Sequence, residues 1–283
     1  MTSIGAVIRR DIPPSKVVEH ARAVQDGFDE LWVIEDLPFA GGISQAAAVL
    51  AATDGVAVGH GIAPAPFRNP AALAMEWATL AGFFPGRFIA GIGHGVQEWM
   101  GQIGDRVASP LTLLEETTLA VRRLLAGESV TVNGRYVQLD GVQLEYPPQQ
   151  VPRVLAGVRG PKSLRLSGAV ADGTLLPEGW GPAYIVRARH LIDQGREDAG
   201  RTDPHHLTVF AGFYAGAMAG IAGDNPDAST EFDWDAVSED VDEVTAQLQT
   251  LIEAGADSGA LLPFGQDTTG QLQLAAAEIV PRL

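Results

Sequence analysis

The architecture of this chain is decided between residues 86 and 95, where the sequence reads Gly86-Arg87-Phe88-Ile89-Ala90-Gly91-Ile92-Gly93-His94-Gly95. The first half is typical of a buried strand, and that strand ends in a loop with glycine at every second position around one histidine. Proteins of the α/β class build binding sites in such loops, at the carboxyl ends of strands. The spacing is not the GxGxxG dinucleotide fingerprint, because Val96 stands where the third glycine would fall. Taken alone, the stretch could also be a tight turn with a chance histidine.

The same order of strand, loop and helix recurs along the chain. Strands are predicted at residues 4–8, 31–34, 56–62, 87–90, 154–157, 174–176, 207–214 and 260–262. Helix starts follow them at Asn69-Pro70, Ser109-Pro110, Gly160-Pro161 and Gly181-Pro182. Insertions are predicted after strand four, where Asn133-Gly134 indicates a hairpin with a two-residue turn, and after strand seven. Eight alternating strands and helices favour the α/β class, as one (β/α)8 TIM barrel over residues 1–283, above an open doubly wound sheet.

Composition narrows the range of functions. The 283 residues are 46% hydrophobic and carry a formal charge of −16, which argues against nucleic acid or an anionic membrane as a partner. The absence of cysteine excludes disulfides and thiolate catalysis. No apolar stretch has the length of a membrane helix and no secretion leader is evident, so we expect a soluble cytoplasmic protein with a small-molecule substrate.

Charge is distributed unevenly along the chain. No lysine or arginine occurs between Arg201 and Arg282, while acidic residues crowd the segment 224–243, which we interpret as a solvated acidic face. An anionic ligand must therefore be bound by side chains from the first two-thirds of the chain or by backbone amides.

In a TIM barrel, polar residues that follow the strands line the working face. The candidates for cofactor binding are Glu35, His60, Gly61, Ile62, Gly93, His94, Gly95, Gly157, Val158, Arg159, Gly160, Pro161, Lys162, Glu178, Gly179 and Trp180. Asp36, His60 and His94 are the candidates for proton transfer, since the two histidines follow adjacent strands and could border one pocket. Glu35 and Asp36 are neighbours, so only one of them should face the mouth; each could instead be a capping or salt-bridged carboxylate.

The turn from Gly157 to Lys162 places two cations and a helix amino terminus directly after a strand. Free amides, the helix dipole and the charges of Arg159 and Lys162 together favour a phosphate or carboxylate. The alternative is an ordinary turn with solvated basic side chains. No metal site is predicted, because HExxH is absent and His205-His206 are adjacent and so not one helical turn apart.

Four segments of the sequence resemble the bacterial luciferase-like superfamily. They are Leu31-Trp32-Val33-Ile34-Glu35-Asp36, Val58-Gly59-His60-Gly61-Ile62 with Arg68-Asn69-Pro70, Gly86-Arg87-Phe88-Ile89-Ala90-Gly91-Ile92-Gly93, and Ala171-Asp172-Gly173. The chain is most similar to the branch of deazaflavin (coenzyme F420)-dependent oxidoreductases that includes methylenetetrahydromethanopterin reductase. The similarity extends from the second strand to about Trp180, with a weaker match at Gly255-Ala256-Asp257.

The resemblance implies a barrel whose mouth binds coenzyme F420 or, alternatively, FMN. It implies a non-proline cis peptide at Gly61-Ile62 and a phosphate-contacting loop at residues 157–162. Sugar-phosphate dehydrogenases of the branch carry a histidine where this chain has Asp36, and a glutamate where it has Val96. Their mechanism is therefore not expected here.

The sequence is compatible with several functions. The leading hypothesis is an F420-dependent oxidoreductase that moves a hydride to or from a small organic substrate. The alternatives are an FMN-dependent monooxygenase, a non-catalytic flavin-binding relative, and an unrelated phosphate-binding barrel isomerase or lyase. A homodimer is predicted because the helices at residues 45–52 and 70–82 carry one charge between them, Glu76, and would expose a large apolar patch around Trp77.

Overall fold

A closed parallel barrel organises the chain, and the computed structural model describes residues 2–217 and 235–283. Its eight strands are β1 (Ser3–Ile8), β2 (Glu30–Val33), β3 (Ala57–Pro64), β4 (Phe88–Gly93), β7 (Val154–Gly157), β8 (Gly173–Leu176), β9 (His206–Ala215) and β11 (Ser258–Pro263). They pair in that order, and β11 returns to β1 to close the ring. The predicted TIM barrel is confirmed.

The interior of the barrel is filled by one cluster of apolar side chains. Seven strands each contribute one residue to it: Val7, Trp32, Ile89, Leu155, Leu175, Phe210 and Ala260. β3 adds only partly buried side chains to this cluster, those of Ala57 and Ile62. At Gly59 of β3 the Trp32 indole takes the space, since a β-carbon there would lie 2.2 Å from it.

Helices cover the outside of the barrel and bury a second, larger apolar layer against the strands. They are α1 (Pro14–Val24), α2 (Gly42–Ala52), α3 (Pro70–Phe83), α4 (Gln97–Gln102), α5 (Pro110–Leu125), α6 (Pro161–Val170), α7 (Pro182–Asp198), α8 (Val241–Glu253) and α9 (Thr268–Leu274). Two of the predicted starts have the expected cap: Asn69 accepts from the Ala71 amide, and Ser109 accepts from the Thr112 amide.

A hairpin of β5 (Val130–Asn133) and β6 (Gln138–Val142) precedes β7, as predicted, but its turn is longer than two residues. Asn133 pairs with Gln138, so Gly134 lies in a four-residue loop rather than at the tip of an Asn-Gly turn. The Glu116 carboxylate of α5 causes this, because it accepts from the amides of Arg135, Tyr136 and Val137. Those bonds satisfy donors that a two-residue turn would have paired across the strands.

A short strand, β10 (Ala236–Ser238), lies beyond the rim of the barrel and pairs with the upper end of β9. The predicted insertion after the seventh barrel strand falls largely at residues 218–234, outside the described residues. Within the described ranges, no helix is both long enough and apolar enough to cross a membrane.

The face proposed for dimerisation differs from the sequence expectation in one residue. Trp77 is fully buried, against His60 and Phe88, so it does not belong to the surface of α3. The large apolar side chains that α3 exposes are Met75, at 60% exposure, and Phe83, at 72%.

Candidate active site at the barrel mouth

The carboxyl ends of the strands form a mouth with an apolar floor. Ile62 provides it, at the Gly61-Ile62 cis peptide and within a bulge of β3 between His60 and Ala63. Its side chain lies across Gly93 and Gly157, where added β-carbons would come 2.6 Å from Ile62 Cδ1 and 2.7 Å from Ile62 Cγ2. Glycine at these two strand ends therefore lets the partly exposed Ile62 side chain lie flat over β4 and β7.

Asp36 lies on the mouth side of the strand that precedes it. Its carboxylate accepts from Arg10 Nη1 at 2.8 Å, and the Arg10 guanidinium also lies over the rings of Phe39 and Trp99. Asp36 is partly exposed. Its part in proton transfer stays a prediction.

Glu35 and His60 lie behind the sheet, not at the mouth where we expected them. The Glu35 side chain points into the layer between β2 and α2, where it accepts from the Gly42 amide and forms a bidentate pair with Arg68 at 2.7 Å. His60 is fully buried beside it, with Nε2 3.4 Å from Glu35 Oε2 and with Nδ1 accepting from Trp77 Nε1. Its ring proton is therefore on Nε2.

The contacts of the buried Glu35 carboxyl group determine its charge. Burial disfavours ionisation of Glu35, but the contacts with His60 and Arg68 outweigh it and lower the pKa of Glu35 to about 2. The carboxylate is thus ionised at neutral pH, and it connects β2, β3 and the start of α2 just below the mouth. The geometry gives Glu35 and His60 a positioning part rather than contact with a ligand.

His94 joins two helix starts at the rim. Its Nδ1 is 3.2 Å from the carbonyl oxygen of Pro110, and its Nε2 is 2.9 Å from Ser163 Oγ. A carbonyl can only accept, so Nδ1 carries the proton and Ser163 donates to Nε2. Burial lowers the pKa of His94, against the opposing effect of the Pro110 carbonyl, so the ring is neutral at pH 7.

The turn after β7 has the features expected of an anion site. Gly160 is the N-cap of α6 and has no side chain to bond the first amides, while Lys162 is exposed in the first turn. Val158 is buried and anchors the turn. The Arg159 carbonyl accepts from the Tyr184 hydroxyl, and the Tyr184 ring stacks on Trp180 at 4.2 Å between centroids, so the loops after β7 and β8 are joined.

One carboxylate at the mouth was missed by the sequence reasoning. Asp235 was assigned to the solvated acidic face, yet its carboxylate lies against Gly212 of β9, and the charge of Glu178 acts on it. Burial and then Glu178 raise the pKa of Asp235 to about 6. No local pattern marks this residue, because only the pairing of β10 with β9 brings it to the barrel.

A search against known families gives one match over most of the chain. The family model described as luciferase-like monooxygenase matches residues 2–231. The chain belongs to this family.

Members with assigned activities include F420-dependent enzymes. The 5,10-methylenetetrahydromethanopterin reductase of Methanolobus tindarius is 32% identical over 200 residues, 70% of this chain and 60% of that protein's length. The F420-dependent glucose-6-phosphate dehydrogenase of Nakamurella multipartita is 26% identical over 95% of this chain and 93% of its own. The solved F420-dependent tetrahydromethanopterin reductase of Methanopyrus kandleri superposes with a TM-score of 0.82 at 20% identity, covering 99% of both chains, which supports the fold.

The mouth suits F420 or FMN. Either cofactor needs a flat apolar support for its ring and cationic groups for its phosphate. Ile62, lying across Gly93 and Gly157, provides such a support. Lys162 and the uncapped start of α6 lie after the neighbouring strand β7 and would supply the cationic end.

Proposed function

We propose that this chain is a coenzyme F420-dependent oxidoreductase that moves a hydride to or from a small organic substrate at the barrel mouth. The observation that carries the proposal is the apolar floor of Ile62 over Gly93 and Gly157, beside the uncapped start of α6. The F420-dependent relative from Nakamurella supports the choice of cofactor. The bound deazaflavin would supply the hydride chemistry.

The chain's own residues would bind and orient. Ile62 would support the ring, and Lys162 with the amides of α6 would hold the phosphate. His94 fixes the position of Ser163 in that turn, and the buried Glu35–Arg68 pair holds α2 and the bulged end of β3 in place. Asp36 faces the mouth with its charge balanced by Arg10.

The alternative is an FMN-dependent monooxygenase, which the description of the family favours. A titration of the apoprotein with F420 and with FMN, followed by fluorescence, separates the two. We expect F420 to bind at least about tenfold more tightly, a difference of ~1.4 kcal/mol. Equal or tighter binding of FMN would favour the monooxygenase, and binding of neither would refute both.

A glycine variant locates the site in the same titration. Gly93→Ala would push a β-carbon to within 2.6 Å of Ile62 Cδ1 and 2.8 Å of the Gly157 carbonyl oxygen, so it should displace the floor and the strand end beneath it and weaken F420 binding. Gly82→Ala on α3 is the matched control, because an added β-carbon there meets nothing within 4 Å. Unchanged affinity in Gly93→Ala would place the cofactor elsewhere.

A further inference from the structure

The position of Asp235 follows from how β9 changes partners along its length. The lower half of β9 pairs with β8, and its upper end pairs with β10, from Phe213 to Ala215. The other edge of β9 is occupied by β11 from Thr208 to Phe213, so β8 and β10 must follow one another on the same edge. Glu178, just after β8, and Asp235, just before β10, therefore meet at this junction.

The direction of the Asp235 side chain follows from Gly212. Phe210 belongs to the interior cluster of the barrel, and Gly212 is two residues further along β9, so it faces the same side. A β-carbon on Gly212 would lie 2.4 Å from Asp235 Oδ1 and 2.4 Å from the Phe264 ring. The carboxylate thus occupies the space above the interior cluster, on the mouth side of the barrel.

The groups that face Asp235 leave it without a neutralising charge. Glu178 lies after β8, and Phe264, after β11, meets the same point above Gly212 as the carboxylate. Tyr214 lies two residues beyond Gly212 on β9, and its hydroxyl donates to the Ala217 carbonyl. Arg9, after β1, is committed to Asp11 and to the carbonyls of Pro263 and Gly265. Across residues 2–217 and 235–283, no cation forms an ion pair with Asp235.

We propose that Asp235 is the acid–base residue of this enzyme, exchanging a proton with the hydroxyl or carbonyl oxygen of the substrate. This inference rests on the proposed function. In the oxidation of a secondary alcohol, Asp235 Oδ1 would accept the hydroxyl proton as the C=O bond forms, and the bound deazaflavin would accept the hydride from the carbinol carbon. In the reduction of a ketone, Asp235 would return that proton to the oxygen as the deazaflavin supplied the hydride.

The same junction indicates the class of substrate. Asp235 lies on this side of the mouth and pairs with no cation among residues 2–217 and 235–283, so an anionic group beside the reacting carbon would be repelled there. A neutral secondary alcohol or ketone fits this arrangement.

Proton binding at Asp235 is measurable without substrate. In protein labelled with 13C at aspartate side chains, the signal lost in Asp235→Asn should titrate near pH 6, and Glu178→Gln should move that titration to lower pH. Saturating F420 should shift it again, because a ligand at the mouth excludes water from the carboxyl group. Asp193→Asn, on the exposed face of α7, is the control and should leave the Asp235 signal unchanged.

The outcomes separate this inference from the proposed function. If F420 does not bind, the proposed function fails, whatever the titration of Asp235. If F420 binds but the Asp235 signal does not respond, Asp235 is remote from the site and this inference is overturned while the proposed function stands. A titration of Asp235 at the position of an ordinary aspartate would also overturn it.

Turnover gives the second readout, with oxidised F420 and 2-propanol, 2-butanol and cyclohexanol as neutral alcohols, and lactate as the anionic comparison. We expect kcat for the best neutral alcohol to rise with pH through about 6, because the base must be ionised. Asp235→Asn should lower kcat roughly 10²-fold or more and remove that dependence, with F420 affinity retained. Turnover of lactate alone, or a variant that keeps the wild-type pH profile, would overturn the assignment.

Discussion

At the scale of single residues, the buried carboxylate of Glu35 shows how a charge can stiffen the support of a site without touching a ligand. Three partners satisfy it: the Gly42 amide, the Arg68 guanidinium and, more weakly, His60. A carboxylate with so little exposure stays ionised only while its cation is present. The pair therefore makes the packing of α2 on β3 depend on Arg68.

Arg68→Ala should destabilise the fold by about 3–5 kcal/mol at pH 7, because it leaves the Glu35 carboxylate buried and unpaired. The pKa of Glu35 is lowered in the folded state, so its contribution is present above pH 4.5 and is lost as pH falls toward about 2. The difference between variant and wild type should therefore shrink over that window. Urea unfolding at several pH values measures it.

Glu76→Ala is the control for this variant, since Glu76 contacts the same guanidinium from its exposed side at 3.2 Å. Its loss should cost less than about 1 kcal/mol. Equal losses of unfolding free energy in the two variants would mean that the buried pair contributes no more to stability than the exposed contact does.

At the scale of elements, the start of α6 concentrates the features that a phosphate needs. Lys162→Ala and Arg159→Ala should each weaken F420 binding by roughly 1–3 kcal/mol, with a larger effect at low salt. Arg165→Ala, one position beyond the first turn of the same helix and also exposed, should leave affinity nearly unchanged. Calorimetric titration at two salt concentrations gives the comparison, and equal losses in all three variants would indicate a general charge effect.

The sequence predicted those elements whose signals are local. Asn69-Pro70 and Ser109-Pro110 start helices as expected, because a cap and its amide lie within one turn. The loop of the β5–β6 hairpin was mispredicted because Glu116, far away in sequence, satisfies its amides. The sequence could not show on which side of β3 the His60 side chain lies. Its neighbours Gly59 and Gly61 have no side chain that would indicate which side is the interior.

At the scale of the whole molecule, the outer faces of α2 and α3 remain the predicted dimer surface. α2 exposes Ala48 and Ala51, and α3 exposes Ala72, Met75 and Phe83. Small residues around two large apolar side chains would let a second copy approach closely under two-fold symmetry. This arrangement stays a prediction, and Trp77 cannot test it because its substitution would disrupt the apolar layer between the helices and the strands.

Light scattering at micromolar concentration should give the mass of a dimer, and Phe83→Glu with Met75→Glu should give that of a monomer. Each charge would be placed in a desolvated contact that offers it no partner. Val186→Glu, an equally exposed apolar position on α7, should remain dimeric. A monomeric wild type would refute the dimer, and a dimer that survives the double substitution would place the interface elsewhere.

The exchange of partners along β9 also provides a natural reporter of local opening. The Gly216 amide donates to the Ser238 carbonyl, while the Ala215 amide donates to Gln271 of α9. Deuterium uptake at Gly216 should therefore follow the detachment of β10, and uptake at Ala215 the detachment of α9. Two adjacent amides would thus distinguish loss of the strand beside Asp235 from loosening of the barrel as a whole.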